Sequence, residues 1–158
     1  MIKVAQYKGK SLTSKLIKLT SHGKYSHTAI ILPHGDIVEA WEGTDNVRII
    51  KNLSEGHTPG TEVDIYTIDI PSELERDFIE FVLSQVGKPY NKWGLIAFYL
   101  NRLRFNREGE WFCSQLLVGA CHSIGQYLWG SETKSWQISP TGIVRTSHLK
   151  YHSSTVTH

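Results

Sequence analysis

Alternating apolar and polar residues predict β-strands throughout the first half of the chain. The predicted strands cover residues 1–7, 26–32, 37–41, 47–50 and 62–70. The segment 33–36 joins the second and third strands with a proline, a glycine and an aspartate, which is the composition of a hairpin turn. These runs therefore predict antiparallel strands connected by short loops.

The second half of the chain instead shows the 3.6-residue period of amphipathic helices. One apolar stripe consists of Leu74, Phe78, Phe81, Val82 and Val86. A capping box of Ser72 and Glu75 begins this helix. Gly87 and Pro89 end it. Further helices are predicted over 92–103 and 114–124, after Ser139, and near the N-terminus after a cap at Ser11 or Thr13.

This order, strands first and helices afterwards, predicts an α+β fold in which an antiparallel β-sheet packs against a few helices. A chain of 158 residues is long enough to bury a core without disulfides or metals. We therefore expect a single domain over residues 1–150, followed by a frayed C-terminal tail over 151–158.

Composition and charge restrict the classes of partner. Apolar residues make up 40% of the chain and charged residues 20%, as in ordinary globular proteins, and the formal net charge is +2. This balance predicts no nucleic-acid partner. Six lysines nevertheless precede Asp36, the first acidic residue, namely Lys3, Lys8, Lys10, Lys15, Lys18 and Lys24. They indicate either a weakly anionic partner at the N-terminal segment or a solvated helix face.

The two cysteines bear on the compartment in which the chain is made. If both lie on one helix, Cys113 and Cys121 are roughly 12 Å apart, too far for a disulfide. Two free thiols are typical of a reducing compartment. The chain shows no signal peptide and no apolar stretch as long as a transmembrane segment. We expect a protein that is cytoplasmic when synthesised, with export by lysis or a dedicated secretion route left open.

Cys113 is the strongest candidate for a nucleophile. It lies in the segment 111–117, where an apolar run becomes the first turn of a predicted helix. A helix N-terminus with a neighbouring histidine lowers a cysteine pKa to roughly 3.5–7.5, because the N–H groups and the helix dipole stabilise the thiolate. The alternative is an inert buried cysteine, which is how we interpret Cys121 among its small and apolar neighbours.

His27 and Glu39 form the second candidate pair. His27 begins a strand, and Glu39 follows across the hairpin turn on the same face, directly opposite or one diagonal away. A glutamate within an apolar strand is costly to bury without a partner, and a histidine N–H is the natural one. The carboxylate would fix the histidine tautomer and stabilise the imidazolium. The alternative is a glutamate that faces water on an edge strand.

Four other histidines give weaker signals. Three lie in predicted loops and one on a helix: His22, His34, His57 and His122. A zinc site built from Cys113, Cys121, His122 and a remote histidine would lack the close Cys-x-x-Cys or His-x₃-His spacing of such sites. No phosphate-binding glycine loop or dinucleotide fingerprint is present either. We therefore expect neither a metal site nor another cofactor.

Several short segments share their order with a known family. They are 25–31 around His27, 38–40 around Glu39, 87–91 with the sequence Gly-Lys-Pro-Tyr-Asn, 111–117 around Cys113, and 139–143. Together they resemble the circularly permuted branch of the NlpC-like, papain-fold cysteine peptidases and amidases, in which the histidine strand precedes the cysteine helix. The resemblance spans most of the chain. It implies a papain-like α+β fold with circularly permuted NlpC-like topology.

The resemblance also implies a role for each matching residue. Cys113 corresponds to the nucleophile, His27 to the base and Glu39 to the orienting residue. Tyr90 would place its hydroxyl near the oxyanion, although by itself it would be interpreted as a packing residue. The interval between Tyr90 and Cys113 is longer than in ordinary NlpC-like peptidases. We expect this interval to form either a groove for an apolar substrate such as a fatty-acyl amide, or a core helix followed by a solvent-exposed basic segment.

The resulting prediction is a cysteine hydrolase that cleaves an amide bond through a Cys-His-Glu triad and a thioester acyl-enzyme. Its substrate would be a peptide, a peptidoglycan fragment or a lipid amide. Two alternatives remain open. One is a thiol acyltransferase on the same scaffold, since lecithin-retinol acyltransferase-type proteins resemble it. The other is a non-catalytic module that binds a ligand or a partner protein.

Overall fold

A six-stranded antiparallel sheet is the framework of the computed structural model, which describes residues 1–92 and 109–158. The strands are β1 (Lys3–Tyr7), β2 (His27–Ile31), β3 (Ile37–Trp41), β4 (Asn46–Ile50), β5 (Glu62–Ile68) and β6 (Leu149–Val156). Their order across the sheet is β4-β3-β2-β1-β5-β6, and all neighbours are antiparallel. The predicted α+β class with an antiparallel sheet is confirmed.

Three of the four α-helices in the described part of the chain follow β5, and the fourth lies between β1 and β2. Within the described residues the α-helices are α1 (Leu12–Thr20), α2 (Glu75–Ser84), α3 (Cys113–Ser123) and α4 (Pro140–Ile143). Ser11 caps α1, because its side chain accepts a hydrogen bond from the Ser14 N–H. The helix predicted over 92–103 lies, apart from its first residue, outside the described residues. None of the described helices combines the length and apolar character needed to cross a bilayer.

The predicted capping box at the start of α2 is wrong. Ser72 begins a short 3-10 turn, Ser72–Leu74, and no side chain caps either this turn or α2. The Glu75 carboxylate instead pairs with the N-terminal ammonium of Met1 at 2.6 Å. A full positive charge on Met1, two residues before β1, therefore replaces the local backbone N–H as the partner of this carboxylate.

The C-terminal residues expected to form a frayed tail over 151–158 mostly belong to β6. This strand pairs with β5 along its length, with one irregularity between Ile65 and Tyr66. Beyond β6, the Thr157 N–H donates to the Thr61 carbonyl at 3.0 Å, and the Thr61 N–H donates to the Thr157 hydroxyl at 3.0 Å. The prediction of a frayed tail is wrong because β5 offers an unpaired edge, which local sequence does not reveal.

Alternation along the strands divides the apolar side chains between two faces. The larger cluster packs the helices on the sheet and includes Val4, Ile30, Val38, Phe78, Val82, Leu116 and Leu117. The smaller cluster occupies the other face and includes Ala5, Tyr7, Ala29, Ile37, Ile50 and Val63. His27 lies two residues before Ala29, so its side chain points to the face of the smaller cluster. It is the first residue of β2.

Candidate active site

The backbone changes from extended to helical immediately before Cys113. Phe112 is extended, with φ −105° and ψ 167°, and its carbonyl accepts a hydrogen bond from the Leu116 N–H at 3.1 Å. Ser114 anchors this first turn, since its hydroxyl donates to the Ile138 carbonyl at 2.6 Å. Cys113 is buried, with 4% of its surface exposed. The predicted position of Cys113 at a helix N-terminus is confirmed.

The β2–β3 hairpin brings His27 and Glu39 together. The pairing of Ile30 with Val38, continued by one residue pair, places Glu39 diagonal to His27 on the same face. The Nε2 atom of His27 lies 2.7 Å from Oε2 of Glu39. Because Glu39 is fully buried on a central strand, the alternative of an edge-strand glutamate facing water is excluded.

Two residues that were not predicted from the sequence complete the surroundings of Glu39. Arg48 pairs opposite Glu39 on β4, and its Nε and Nη2 atoms donate to Oε1 at 2.9 and 2.6 Å. His57, in the loop between β4 and β5, places its Nε2 atom 3.1 Å from Oε2. One carboxylate oxygen is thus held by a guanidinium, and the other lies between two imidazoles.

The charges in this cluster follow from burial and from mutual contact. Burial lowers the pKa of His27, but the Glu39 carboxylate and the hydrogen-bonded Cys113 side chain outweigh this effect and raise the pKa to about 10. Burial also opposes ionisation of Glu39, yet its imidazole partners hold its pKa well below the ordinary value. Burial lowers the pKa of His57 despite the hydrogen bond to Glu39. His27 is therefore the protonated imidazole and His57 the neutral one.

Aromatic rings restrict the orientation of both imidazoles. His57 stacks on Tyr7, with ring centroids 4.0 Å apart and planes 16° apart. Trp41 meets His27 edge-on at 5.2 Å and lies 4.5 Å from His57. With Nε2 of His27 directed at Glu39, Nδ1 is the ring nitrogen left for a contact with the thiol.

Cys113, His27 and Tyr90 line one cavity of about 490 Å³. Its wall also includes His57 and several residues of α1. Tyr90 is 7% exposed, and its backbone forms a bridge to Trp111, two residues before Cys113. The four predicted site residues, Cys113, His27, Glu39 and Tyr90, therefore lie in one region, with Glu39 behind His27.

The other sequence candidates lie apart from this cluster. Cys121 is a free cysteine, as Cys113 is, and burial raises the pKa of the Cys121 thiol, which suits an inert core residue. His34 lies 3.4 Å from Asp36 in the hairpin turn, and the ring of His122 contacts that of Tyr127 at 4.8 Å.

The two missed residues differ in how far local sequence could reveal them. Arg48 lies on a predicted strand, so alternation and a β3–β4 pairing place it on the face of Glu39. His57 had no such signal, because it belongs to a loop rich in glycine and proline whose path depends on contacts with distant residues.

His27, Glu39 and His57 also form a group whose ligand atoms all lie within 4.8 Å of one another. Imidazole nitrogens and a carboxylate oxygen are donors that suit zinc and other transition metals. This group differs from the zinc site considered from the sequence, because it contains neither Cys121 nor His122. The expectation of no metal site stays a prediction.

Comparison with known proteins finds a similar fold but no matching family or curated protein. No protein family and no curated protein matches the chain. Among solved structures, the metalloprotein yiiX from Escherichia coli O157:H7, described as DUF1105, is similar with a TM-score of 0.70 and 15% sequence identity. The match covers 97% of this chain and 96% of that chain. At this identity the similarity concerns the fold alone.

The predicted papain-like fold with circularly permuted NlpC-like topology is therefore corrected. The antiparallel α+β class holds, but the fold matched over almost the whole chain is that of yiiX. The motifs around His27 and Cys113 determine a hairpin contact and the start of a helix, and neither specifies how six strands are ordered. No family match supports the resemblance that these motifs suggested.

Proposed function

We propose that this protein is a cysteine hydrolase that cleaves an amide bond in a peptide or an acyl amide. Cys113 would be the nucleophile, His27 the acid and base, and Glu39 the positioning residue. The supporting observation is the contact of Cys113, the first residue of α3, with an imidazole that is paired with a buried carboxylate. The imidazolium and the helix N-terminus both stabilise a thiolate at this position.

The reaction proceeds through a thioester. The Cys113 thiolate attacks the carbonyl carbon and forms a C–S bond, and the His27 imidazolium gives its proton to the departing nitrogen as the C–N bond breaks. Neutral His27 then takes a proton from water, whose oxygen attacks the thioester carbon and displaces the sulfur. The product is a carboxylic acid, and the thiolate–imidazolium pair is restored.

Two groups would stabilise the oxyanion that forms in each step. The first is the Cys113 N–H, since N–H groups in the first turn of a helix have no intrahelical acceptor. The second is the Tyr90 hydroxyl, because Tyr90 lines the same cavity as Cys113 and is held in a nearly buried position. On this proposal, Tyr90→Phe lowers kcat and leaves KM almost unchanged.

Alkylation by iodoacetamide tests the thiolate directly. At about pH 6 an ordinary thiol with a pKa near 8.5 is almost fully protonated and reacts slowly. We expect rapid alkylation of Cys113, measured by peptide mass spectrometry, and a rate roughly tenfold lower in His27→Gln. Cys121 is too deeply buried to be a fair control, so the His27 variant supplies the comparison. Equal rates in the two proteins would refute the activated pair.

Hydrolysis itself is tested with a panel of peptide and acyl-amide substrates. We expect release of the amine by the unmodified protein and none by Cys113→Ala. Adding a competing amine during turnover separates hydrolysis from acyl transfer, because an acyltransferase would give a new amide in place of the acid. If no member of the panel acylates Cys113, the hydrolase proposal fails.

A second candidate function is the binding of a divalent transition metal by His27, Glu39 and His57. The convergence of their ligand atoms favours it, and the similar protein yiiX is described as a metalloprotein. The donor atoms fit such an ion, because Arg48 donates to Oε1 of Glu39 and Oε2 therefore faces the two imidazoles. When bound, the ion would supply Lewis-acid chemistry.

Titration with zinc in a calorimeter separates the two candidates. If the cluster is a metal site, His57→Gln lowers zinc affinity roughly 10- to 100-fold, and affinity rises with pH as His27 loses its proton. If the protein is a cysteine hydrolase, His57→Gln retains most of the amidase activity, and chelators have no effect on it. Absence of zinc binding by the unmodified protein would eliminate the metal candidate.

A further inference from the structure

Helix α1 presents an apolar surface to solvent. Leu12, Leu16 and Leu19 are 84%, 46% and 72% exposed. Because residues three and four positions apart lie on one side of a helix, the three side chains form a continuous stripe, here called the leucine stripe. Leu12 and Leu19 are the most exposed large apolar side chains in residues 1–92 and 109–158.

The opposite side of α1 is fixed to the rest of the protein. Ile17 is 7% exposed and belongs to the larger core cluster, while Thr13 and Ser14 line the cavity that contains Cys113. Rotating the helix to bury the leucine stripe would expose Ile17 and break the cavity wall. The outward direction of the leucines is therefore a consequence of how α1 packs.

Positive charge lies beside the leucine stripe. Lys15 and Lys18 belong to α1, and no carboxylate pairs with either of them in the described part of the chain. Lys8 and Lys24, by contrast, are engaged by acids on β5, Glu62 at 2.9 Å and Asp64 at 3.4 Å. No acidic residue precedes Asp36, so α1 lies in a segment without negative side chains.

We propose that α1 docks on the surface of an anionic lipid membrane. The leucines would enter the boundary between head groups and acyl chains while the lysines bind lipid phosphates, the pattern of an interfacial helix. A single convex stripe offers no groove for a partner helix, and a lipid surface needs none. Because α1 forms part of the cavity wall, docking would bring the cavity that contains Cys113 next to the lipid layer.

Co-sedimentation with vesicles tests this proposal without any assay of catalysis. The vesicles are phosphatidylcholine alone, or an equal mixture of phosphatidylcholine and phosphatidylglycerol. We expect binding to the mixed vesicles that is at least roughly tenfold stronger than to phosphatidylcholine alone and that weakens with added salt. The Cys113→Ala variant should bind equally well, so docking and hydrolysis can fail independently.

Matched variants assign the binding to α1. Leu12→Gln with Leu19→Gln should lower vesicle binding roughly tenfold or more, because glutamine keeps helix propensity but removes apolar area. The control pair is Leu83→Gln with Val86→Gln, and it should bind normally. Both residues are also exposed, but Leu83 lies in the last turn of α2 and Val86 lies just beyond its end. Circular dichroism verifies that both proteins are folded.

Charge variants provide the second arm of the test. Lys15→Gln with Lys18→Gln should weaken binding to the mixed vesicles, whereas Lys134→Gln with Lys150→Gln should not. Three results would overturn the proposal: no vesicle binding, equal binding by both leucine and control pairs, or a concentration-dependent dimer that the leucine variants abolish. The last result would assign the leucine stripe to contact between two copies of the chain.

Discussion

Glu39 determines the charge state of the candidate site. It is fully buried and contacts His27, Arg48 and His57 through its two carboxylate oxygens. A buried carboxylate remains ionised only with such partners, and it keeps the neighbouring imidazole protonated in return. If Cys113 is the nucleophile that we propose, its reactivity would therefore depend on a residue that does not line the cavity.

Replacing Glu39 with glutamine tests this dependence. We expect Glu39→Gln to lower kcat roughly 10²- to 10⁴-fold with little change in KM, because the amide keeps the size but not the charge. The pKa of His27, raised to about 10 in the unmodified protein, should fall. The upper limb of the pH profile of kcat/KM should therefore move to lower pH.

The matched control for Glu39→Gln is Arg48→Met, which leaves the contact between His27 and Glu39 in place. This variant should lower kcat less and should keep the upper limb of the pH profile near its original position. If the limb stays unchanged in Glu39→Gln, Glu39 has no role in positioning or charging His27.

Among the elements, the loop between β4 and β5 contributes most to the site beyond the predicted residues. It carries His57 to Glu39, and its Glu55 carbonyl accepts a hydrogen bond from Arg48 at 3.0 Å. Gly56 lies between them with φ +80°, and a Cβ atom there would stand 2.8 Å from Arg48 Nη2. The absence of a side chain at residue 56 therefore permits the loop to close over the guanidinium.

Alanine at residue 56 should be costly for two separable reasons. Gly56→Ala places an L-residue in the left-handed region and also displaces a guanidinium that is bonded to Glu39, so we expect a loss of about 2–3 kcal/mol in unfolding free energy. Gly35→Ala is the control, since its φ is +98° but nothing lies within 4 Å of the added carbon. We expect Gly35→Ala to lower the unfolding free energy by about 1 kcal/mol, and urea denaturation of both variants measures the difference. Equal losses would show that the contact with Arg48 contributes nothing.

Elements were predicted correctly where their determinants are local. The β2–β3 hairpin follows from alternation and turn composition, and α1 begins after the predicted cap at Ser11. Prediction failed where a remote group intervened. Met1 takes the carboxylate of Glu75 away from the predicted capping box, and the edge of β5 orders a C-terminal segment that was expected to fray.

For the whole molecule, the pairing of His27 with Glu39 links folding to pH. The pKa of His27 is 6.5 when unperturbed and about 10 in the folded protein, so the pair contributes fully below pH 6.5 and its contribution is lost as pH rises through 10. Glu39 has a lowered pKa, so its contribution is present above its ordinary value of 4.5 and is lost as pH falls. The contribution of this pair to the unfolding free energy should therefore be greatest between about pH 4.5 and pH 6.5.

Urea denaturation at a series of pH values measures this linkage. We expect the unfolding free energy of the unmodified protein to decrease as pH rises from about 8.5, the ordinary pKa of a thiol, towards 10, because over this interval the folded protein still holds the His27 proton while the unfolded chain has released both its imidazole proton and its thiol proton. The His27→Gln variant lacks this proton and should show a flatter dependence over the same interval. Parallel curves for the two proteins would contradict the raised pKa.

Three features depend only on neighbouring residues and could be predicted from the amino-acid sequence: the antiparallel α+β class, the hairpin that pairs His27 with Glu39, and the helix that begins at Cys113. These follow from side-chain alternation, turn composition and the start of a helical pattern, which act over a few residues. Three further features arise when the whole chain folds: the thiol meets the imidazole, Arg48 and His57 enclose Glu39, and β6 completes the sheet. Those contacts join segments far apart in the chain, and packing of the whole fold selects among the many pairings that local patterns allow.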